Sequence, residues 1–180
     1  MKRWMCCLLV LMLAAGLAPC ALAETEEDDG LVAVNLQAIK AVLDRNDLTF
    51  TFREEGDSFY VGFDLENKME SCTMWLIAYD DGVLIQCDLD VRLEPERVND
   101  LAIYLMRCNS MVRMGNFYID EDEDVVGYEI FILSDVLPPT QDALKWAMAL
   151  SLAMLETRGD AIYDIMMNGI SAEEALSRYP

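Results

Sequence analysis

Five consecutive acids, Asp120-Glu121-Asp122-Glu123-Asp124, carry the most suggestive spacing in the chain. Asp120, Asp122 and Asp124 stand at the first, third and fifth places of a calcium-binding loop. Val125 occupies the sixth place, where that loop takes Gly, and Phe131 the twelfth, where a bidentate Glu closes the site. The run therefore reads as a solvated turn between two strands. A second pair, Asp88 and Asp90, falls on one face of a predicted strand. Side chains two residues apart on a strand are about 7 Å from each other, a spacing at which carboxylates can share acid–base work. The neighbouring residues supply neither a cleft nor a perturbing charge, and polar groups on the open side of an antiparallel sheet are the ordinary arrangement.

The remaining reactive groups narrow the field further. The 180 residues include no histidine, which excludes a Ser-His-Asp triad, a Cys-His couple and an imidazole metal site. Thirteen Lys and Arg against 33 Asp and Glu give a net charge of −20, the wrong sign for nucleic acid or an anionic membrane surface. Cys72, Cys87 and Cys108 lie in the body of the chain with no C-x-x-C spacing, and read as buried small hydrophobes. A bridge through Cys108 is the alternative, because an exported chain can form one. The residues assign no catalytic group, no metal site and no cofactor. Arg158-Gly159-Asp160 resembles an adhesion tripeptide, but a break between two apolar helical segments accounts for it.

The first residues read as an address. Met1-Lys2-Arg3 is a basic start, Trp4 to Leu17 is apolar, and Ala21-Leu22-Ala23 precedes the acidic run Glu24 to Asp29. The apolar stretch is shorter than the roughly 20 residues of a membrane span, so a secretory signal is expected, cleaved near Ala23–Glu24. Leu17-Ala18-Pro19-Cys20 resembles a lipobox, with Pro19 where that box takes Gly or Ala. Cleavage would remove two positive charges and no negative ones, moving the net from −20 to −22, and would take Cys6, Cys7 and Cys20. An extracytoplasmic location, secreted or periplasmic, follows as an expectation. Residues 24–34 are then a solvated leader and 35–176 a single domain.

Within that domain the hydrophobic period decides the elements. Asn35 is a plausible cap for a helix at 36–45, with Leu36, Ile39, Val42 and Leu43 on one face. The period then changes to two. Leu48, Phe50 and Phe52, then Phe59, Val61 and Phe63, surround Glu55-Gly56, predicting a hairpin in which Phe52 faces Phe59. A second hairpin turns at Asp81-Gly82 and sets Cys87 opposite Leu76 and Cys72 opposite Val91. The two sulfurs would then be roughly 13 Å apart at strand rise, beyond disulfide reach. Pro95 opens a helix to about Val112, with Val98, Leu101, Ala102, Leu105 and Cys108 as its stripe. Residues 117–119 and 125–133 form a third hairpin around the acidic tip. Pro138-Pro139-Thr140 opens a helix over 141–157, apolar on nearly every side, which Gly159 interrupts. Ser171-Ala172-Glu173-Glu174 is a capping box for a last helix. The sum is an α+β fold, a mostly antiparallel sheet of about six strands in three hairpins, packed by helices.

Asn35-Leu36-x-x-Ile39-x-x-x-Leu43, the hairpin from Leu48 to Phe63, Trp75-Leu76-Ile77-Ala78-Tyr79-Asp80-Asp81-Gly82-Val83-Leu84 and Gly169-Ile170-Ser171-Ala172-Glu173-Glu174-Ala175 give this order its particular character. In pattern and order it resembles the YbjN-type domain over residues 31–176, a bacterial family whose fold is like that of type III secretion chaperones. The resemblance implies a non-catalytic domain, linked by name to sensory or motility regulation and suited to binding protein. The expected export signal departs from a cytoplasmic regulatory or chaperone role.

The strand parity points to where a partner would bind. Tyr60, Trp75, Ile77, Tyr79 and Leu84 fall on the face opposite the phenylalanine core, among Thr49, Thr51, Gln86 and Asp88. Either a helix covers this strip, or it takes a protein or peptide partner. A homodimer through helix 141–157 is a further possibility, and nine methionines outside residues 1–23 could make adaptable contacts. The expectation is an exported, non-enzymatic binding domain. The rival is an acidic extracytoplasmic hydrolase or divalent-cation-binding protein using Asp88, Asp90 and the 120–124 tip.

Overall fold

The computed structural model describes residues 29–134 and 137–180. The expected signal at 1–23, with its cysteines, and leader residues 24–28 lie outside them. Helix α1 (Asp29–Arg45) is followed by strands β1 (Thr51–Arg53), β2 (Ser58–Asp64), β3 (Ser71–Ala78) and β4 (Gly82–Leu89). Helix α2 (Pro95–Asn109), strands β5 (Asn116–Asp120) and β6 (Val125–Leu133), and helices α3 (Gln141–Asn168) and α4 (Ala172–Arg178) complete the order. The six strands form one sheet in the order β1-β2-β3-β4-β6-β5, every neighbouring pair antiparallel. This is the α+β architecture expected from the hydrophobic period.

One face of the sheet is buried and the other is not. Phe59, Val61, Met74, Leu76, Ile85, Cys87, Leu89, Tyr128 and Ile130 point to the core. There they meet Ile39 and Leu43 of α1 and Leu144, Leu155 and Ile162 of α3. Helices α1 and α3 lie on this face; α2 packs against β5 and α3, and α4 against α2 and α3. Pro95 takes the first helical position of α2 as expected, while Tyr104 rather than Ala102 belongs to the buried stripe and the helix ends before Val112. Edge strand β5 is closed by a side chain. The Asn109 amide donates to Phe117 O at 2.9 Å and accepts from Phe117 N at 2.7 Å, imitating a neighbouring strand where another chain could pair.

The first hairpin has the expected register, Phe52 opposite Phe59. The second slips by two residues: Cys87 faces Met74 and Cys72 faces Leu89, with Asp80-Asp81 as the turn and Gly82 already in the ladder opposite Leu133. A slip of two preserves which face each side chain occupies, so the core assignment survives it. The reason lies in Asn35. It is no cap: α1 starts six residues earlier, residues 29–34 of the expected leader are its first turns, and Asn35 sits 1% exposed within the helix. Its amide donates to Tyr79 O at 2.9 Å and to Gly82 O at 3.3 Å, and accepts from the Ser134 hydroxyl at 3.2 Å. Tyr79 N–H closes the turn on Gly82 O at 2.8 Å. One buried amide thus ties α1, the β3–β4 turn and the end of β6 together. Asn35→Ala strands these groups and is expected to cost about 2 kcal/mol, read as a lower urea midpoint with an unchanged slope.

Helix α3 also differs from expectation, running unbroken through Gly159. The missing side chain there makes room for the β2–β3 loop: a Cβ at 159 would stand 2.3 Å from Asn67 Nδ2, which donates to Leu155 O at 2.9 Å. Arg158 and Asp160 hold structure rather than face a receptor. Arg158 donates to the Tyr179 and Pro180 carbonyls, and Asp160 accepts from Lys68 N at 2.9 Å. Thr140 caps α3 through Ala143 N, and Ser171 caps α4 through Glu174 N. The Glu174 carboxylate pairs with Arg178, so only half of the expected capping box forms.

Candidate functional site

The face away from the helices is built in rows that the strand register fixes. One row crosses all six strands: Thr51, Tyr60, Trp75, Gln86, Glu129, Asn116. On one side lies Arg53, Ser58, Ile77, Leu84, Phe131; on the other Thr73, Asp88, Gly127, Tyr118. Tyr60, Trp75, Ile77 and Leu84 are half-buried against one another, and Tyr79 and Phe131 are 43% and 44% exposed. The five residues singled out by parity therefore share one face, and no helix among the described residues covers it. Phe131, Leu133, Tyr118 and Arg53 join them. Alternation of Val126, Tyr128, Ile130 and Ile132 toward the core would have placed Phe131 and Leu133 outward.

Aromatic contacts and one bare backbone position shape the surface. Tyr60 packs on Trp75 with ring centroids 5.0 Å apart, and Tyr79 on Phe131 at 6.1 Å. The Arg53 guanidinium lies over the Trp75 ring, 5.5 Å from its centroid. At Gly127 a Cβ would stand 2.3 Å from Cys87 O and 2.7 Å from the Tyr118 hydroxyl. Without it, Tyr118 reaches across β6 and donates to Asp88 Oδ1. Gln86 Nε2 donates to the same oxygen at 3.2 Å. Burial, then the Asp88 carboxylate, raise the Tyr118 hydroxyl well above the usual tyrosine range, which keeps it a donor.

Two shallow depressions meet at Trp75. One, of about 580 Å³, runs from Arg53 and Asp57 past Trp75 and Asp88 to Asp120 and Glu123. The other, about 510 Å³, extends from Trp75 and Asp88 to Asp90, Arg92, Glu123 and Asp124. Asp88 and Asp90 both border it, but they differ in setting. Asp88 is hydrogen-bonded by Tyr118 and Gln86, whereas Asp90 lies exposed beyond the end of β4. The acidic tip uses its carboxylates on backbone. Asp120 Oδ1 accepts from Asp122 N at 3.0 Å and Glu123 N at 3.1 Å, and Asp124 Oδ1 from Leu93 N at 2.7 Å. Among the described residues no group of three or more His, Cys, Asp or Glu side chains could hold a metal ion.

Cys72, Cys87 and Cys108 are free and buried. Burial pushes the Cys72 thiol up to about 11 and raises Cys87 and Cys108 as well, the opposite of an activated nucleophile. On the helix side, α3 buries Leu144, Ala147, Met148 and Leu155, while Trp146 is half exposed beside Met111, Met114 and Met154. No helix among the described residues is long and apolar enough to cross a membrane.

A comparison with known families finds a match over most of the chain. The family model YbjN, described as "Putative bacterial sensory transduction regulator", covers residues 35–163. No curated protein and no solved structure matches the chain.

Proposed function

The chain belongs to the YbjN family, and from that premise we propose that it is a non-enzymatic domain that binds a protein or peptide partner through its open sheet face. One observation carries the reading. Tyr60, Trp75, Ile77, Leu84, Tyr79 and Phe131 form a connected apolar and aromatic surface that the described helices leave uncovered. Such a surface, held by a rigid sheet, presents Trp and Tyr anchors with little conformational freedom to lose on binding. The raised thiols, the hydrogen-bonded Asp88 and the backbone-capping tip carboxylates do not favour hydrolysis or the binding of a divalent metal ion.

An array of immobilised random peptides tests the binding. The wild-type protein is expected to be retained by a subset of sequences, and Trp75→Ala to weaken the retained ones about tenfold or more. Trp75 is only half-buried, so circular dichroism should show the variant folded. No retention of the wild type, or equal retention of both proteins, would overturn the reading.

Export belongs to the same proposal. Residues 1–23 have the basic, apolar and small-residue order of a secretory signal. N-terminal sequencing of the native protein from fractionated cells is expected to begin at Glu24 in the extracytoplasmic fraction. An intact Met1 in the cytosol would refute it.

A further inference from the structure

The depression around Trp75 has a composition that a generic apolar docking face does not. Asp57, Asp88, Asp90, Asp120, Glu123 and Asp124 border its two halves. Among the described residues, two cations share that border. Arg92 points to Glu94 at 3.8 Å, and Arg53 already lies against the Trp75 ring. An indole ring amid carboxylates is the setting in which a cation binds best, because the ring quadrupole and the anions attract the same charge. The chain itself supplies an example, since the Arg53 guanidinium from edge strand β1 is the group resting on that ring.

From this we infer that the groove selects a basic peptide, one placing a Lys or Arg side chain beside Trp75 and against Asp88, on the side away from Arg53, and an apolar side chain on the Ile77–Leu84–Phe131 row. The inference rests on the binding function proposed above and names the chemistry of the partner. Asp88 is built for the role. Tyr118 and Gln86 both donate to its Oδ1, which fixes the carboxylate and leaves Oδ2 for a ligand. Without its own cation, this carboxylate meets the incoming charge as its partner. The row containing Ile77 and Leu84 and the row containing Asp88 flank the Trp75 row, one strand pleat to either side. A pleat is about 7 Å, the distance between side chains two apart in an extended peptide. A segment running along the strands with an apolar residue two positions from a basic one therefore matches the rows. The net charge of −20 speeds the encounter with such a segment.

Three fluorescein-labelled synthetic peptides, read by anisotropy against the full mature chain, test this. The first alternates Leu and Lys with Ser and Thr spacers, the second replaces each Lys by norleucine, and the third replaces it by Glu. The Lys peptide is expected to bind at least tenfold tighter than the norleucine peptide, and the Glu peptide not to bind. Asp88→Asn keeps the shape and still accepts from Tyr118, yet should remove most of the Lys advantage while leaving norleucine binding unchanged. Asp142→Asn, on the exposed first turn of α3, should retain that advantage. An equal loss in both variants would show bulk charge attraction and overturn the inference. Norleucine binding as tight as Lys binding would also overturn it, while leaving the binding function standing. That function fails separately, if the wild type is retained by no peptide of the array.

Discussion

Replacing Asp164 by Ala is expected to lower stability by about 2–3 kcal/mol, in the range for breaking a buried ion pair that is partly open to water. In a domain of this size that is a fall of about 8 °C in the calorimetric midpoint. Asp164 is 4% exposed on α3 and accepts three hydrogen bonds. They come from Lys68 Nζ at 2.6 Å, the Tyr179 hydroxyl at 2.6 Å and Asn168 Nδ2 at 2.7 Å. It ends a line of acids spaced one helical turn apart. Glu156 accepts from Glu66 N at 2.9 Å, Asp160 from Lys68 N at 2.9 Å, and Asp164 from the Lys68 ammonium. The line fastens the β2–β3 loop and the Tyr179 end of the chain to one helix.

The same cluster sets a pH dependence. Burial pushes the Asp164 carboxyl upward, but the donations from Lys68, Tyr179 and Asn168 outweigh it and hold the group below the ordinary carboxylate range. The unfolded chain, with its Asp near about 4, then takes up the proton first as pH falls. The contribution is complete above that value and is lost as pH drops through the lower, folded one. Denaturant titrations of wild type and Asp164→Asn should show the widest gap at neutral pH, narrowing below about pH 4. A gap constant across that range would mean that the carboxylate's charge contributes nothing.

Gly127→Val is expected to cost about 3 kcal/mol, at the upper end for overpacking. The new side chain would press on Cys87 O, a carbonyl of the adjoining strand that cannot step aside without opening the β4–β6 ladder. It would also push Tyr118 off Asp88. The Tyr118 hydroxyl, now high, should then move back toward the ordinary tyrosine value near about 10, visible in an ultraviolet alkaline titration. Tyr118→Phe removes the hydrogen bond without the clash and should cost only about 1 kcal/mol. Wild-type stability in Gly127→Val would show that β6 yields more easily than this packing implies.

These sites show where the sequence was legible. Phe52 faces Phe59 as the alternation around Glu55-Gly56 required, because a short turn and a period of two are local properties. Tyr60, Trp75, Ile77, Tyr79 and Leu84 share a face for the same reason. The acids at 156, 160 and 164 did not read as one stripe, because the pattern broke at Gly159 and set them on different segments. Gly159 was not legible. A glycine in a helical pattern reads as a break, and only the Asn67 side chain, arriving from a distant loop, makes its absence of a Cβ useful.

By itself the sequence determined the class of the protein: an acidic α+β domain of the YbjN family, with no histidine chemistry and with strand faces assigned by parity. Tertiary structure alone decided the exact pairing of β3 with β4, through Asn35 reaching from a helix that starts earlier than its pattern suggested. It also decided that the four described helices gather on one side of the sheet. Parity divides a strand into two faces from adjacent residues, but which face is covered depends on where helices distant in the chain come to rest. That choice leaves Trp75 and its carboxylates open to solvent.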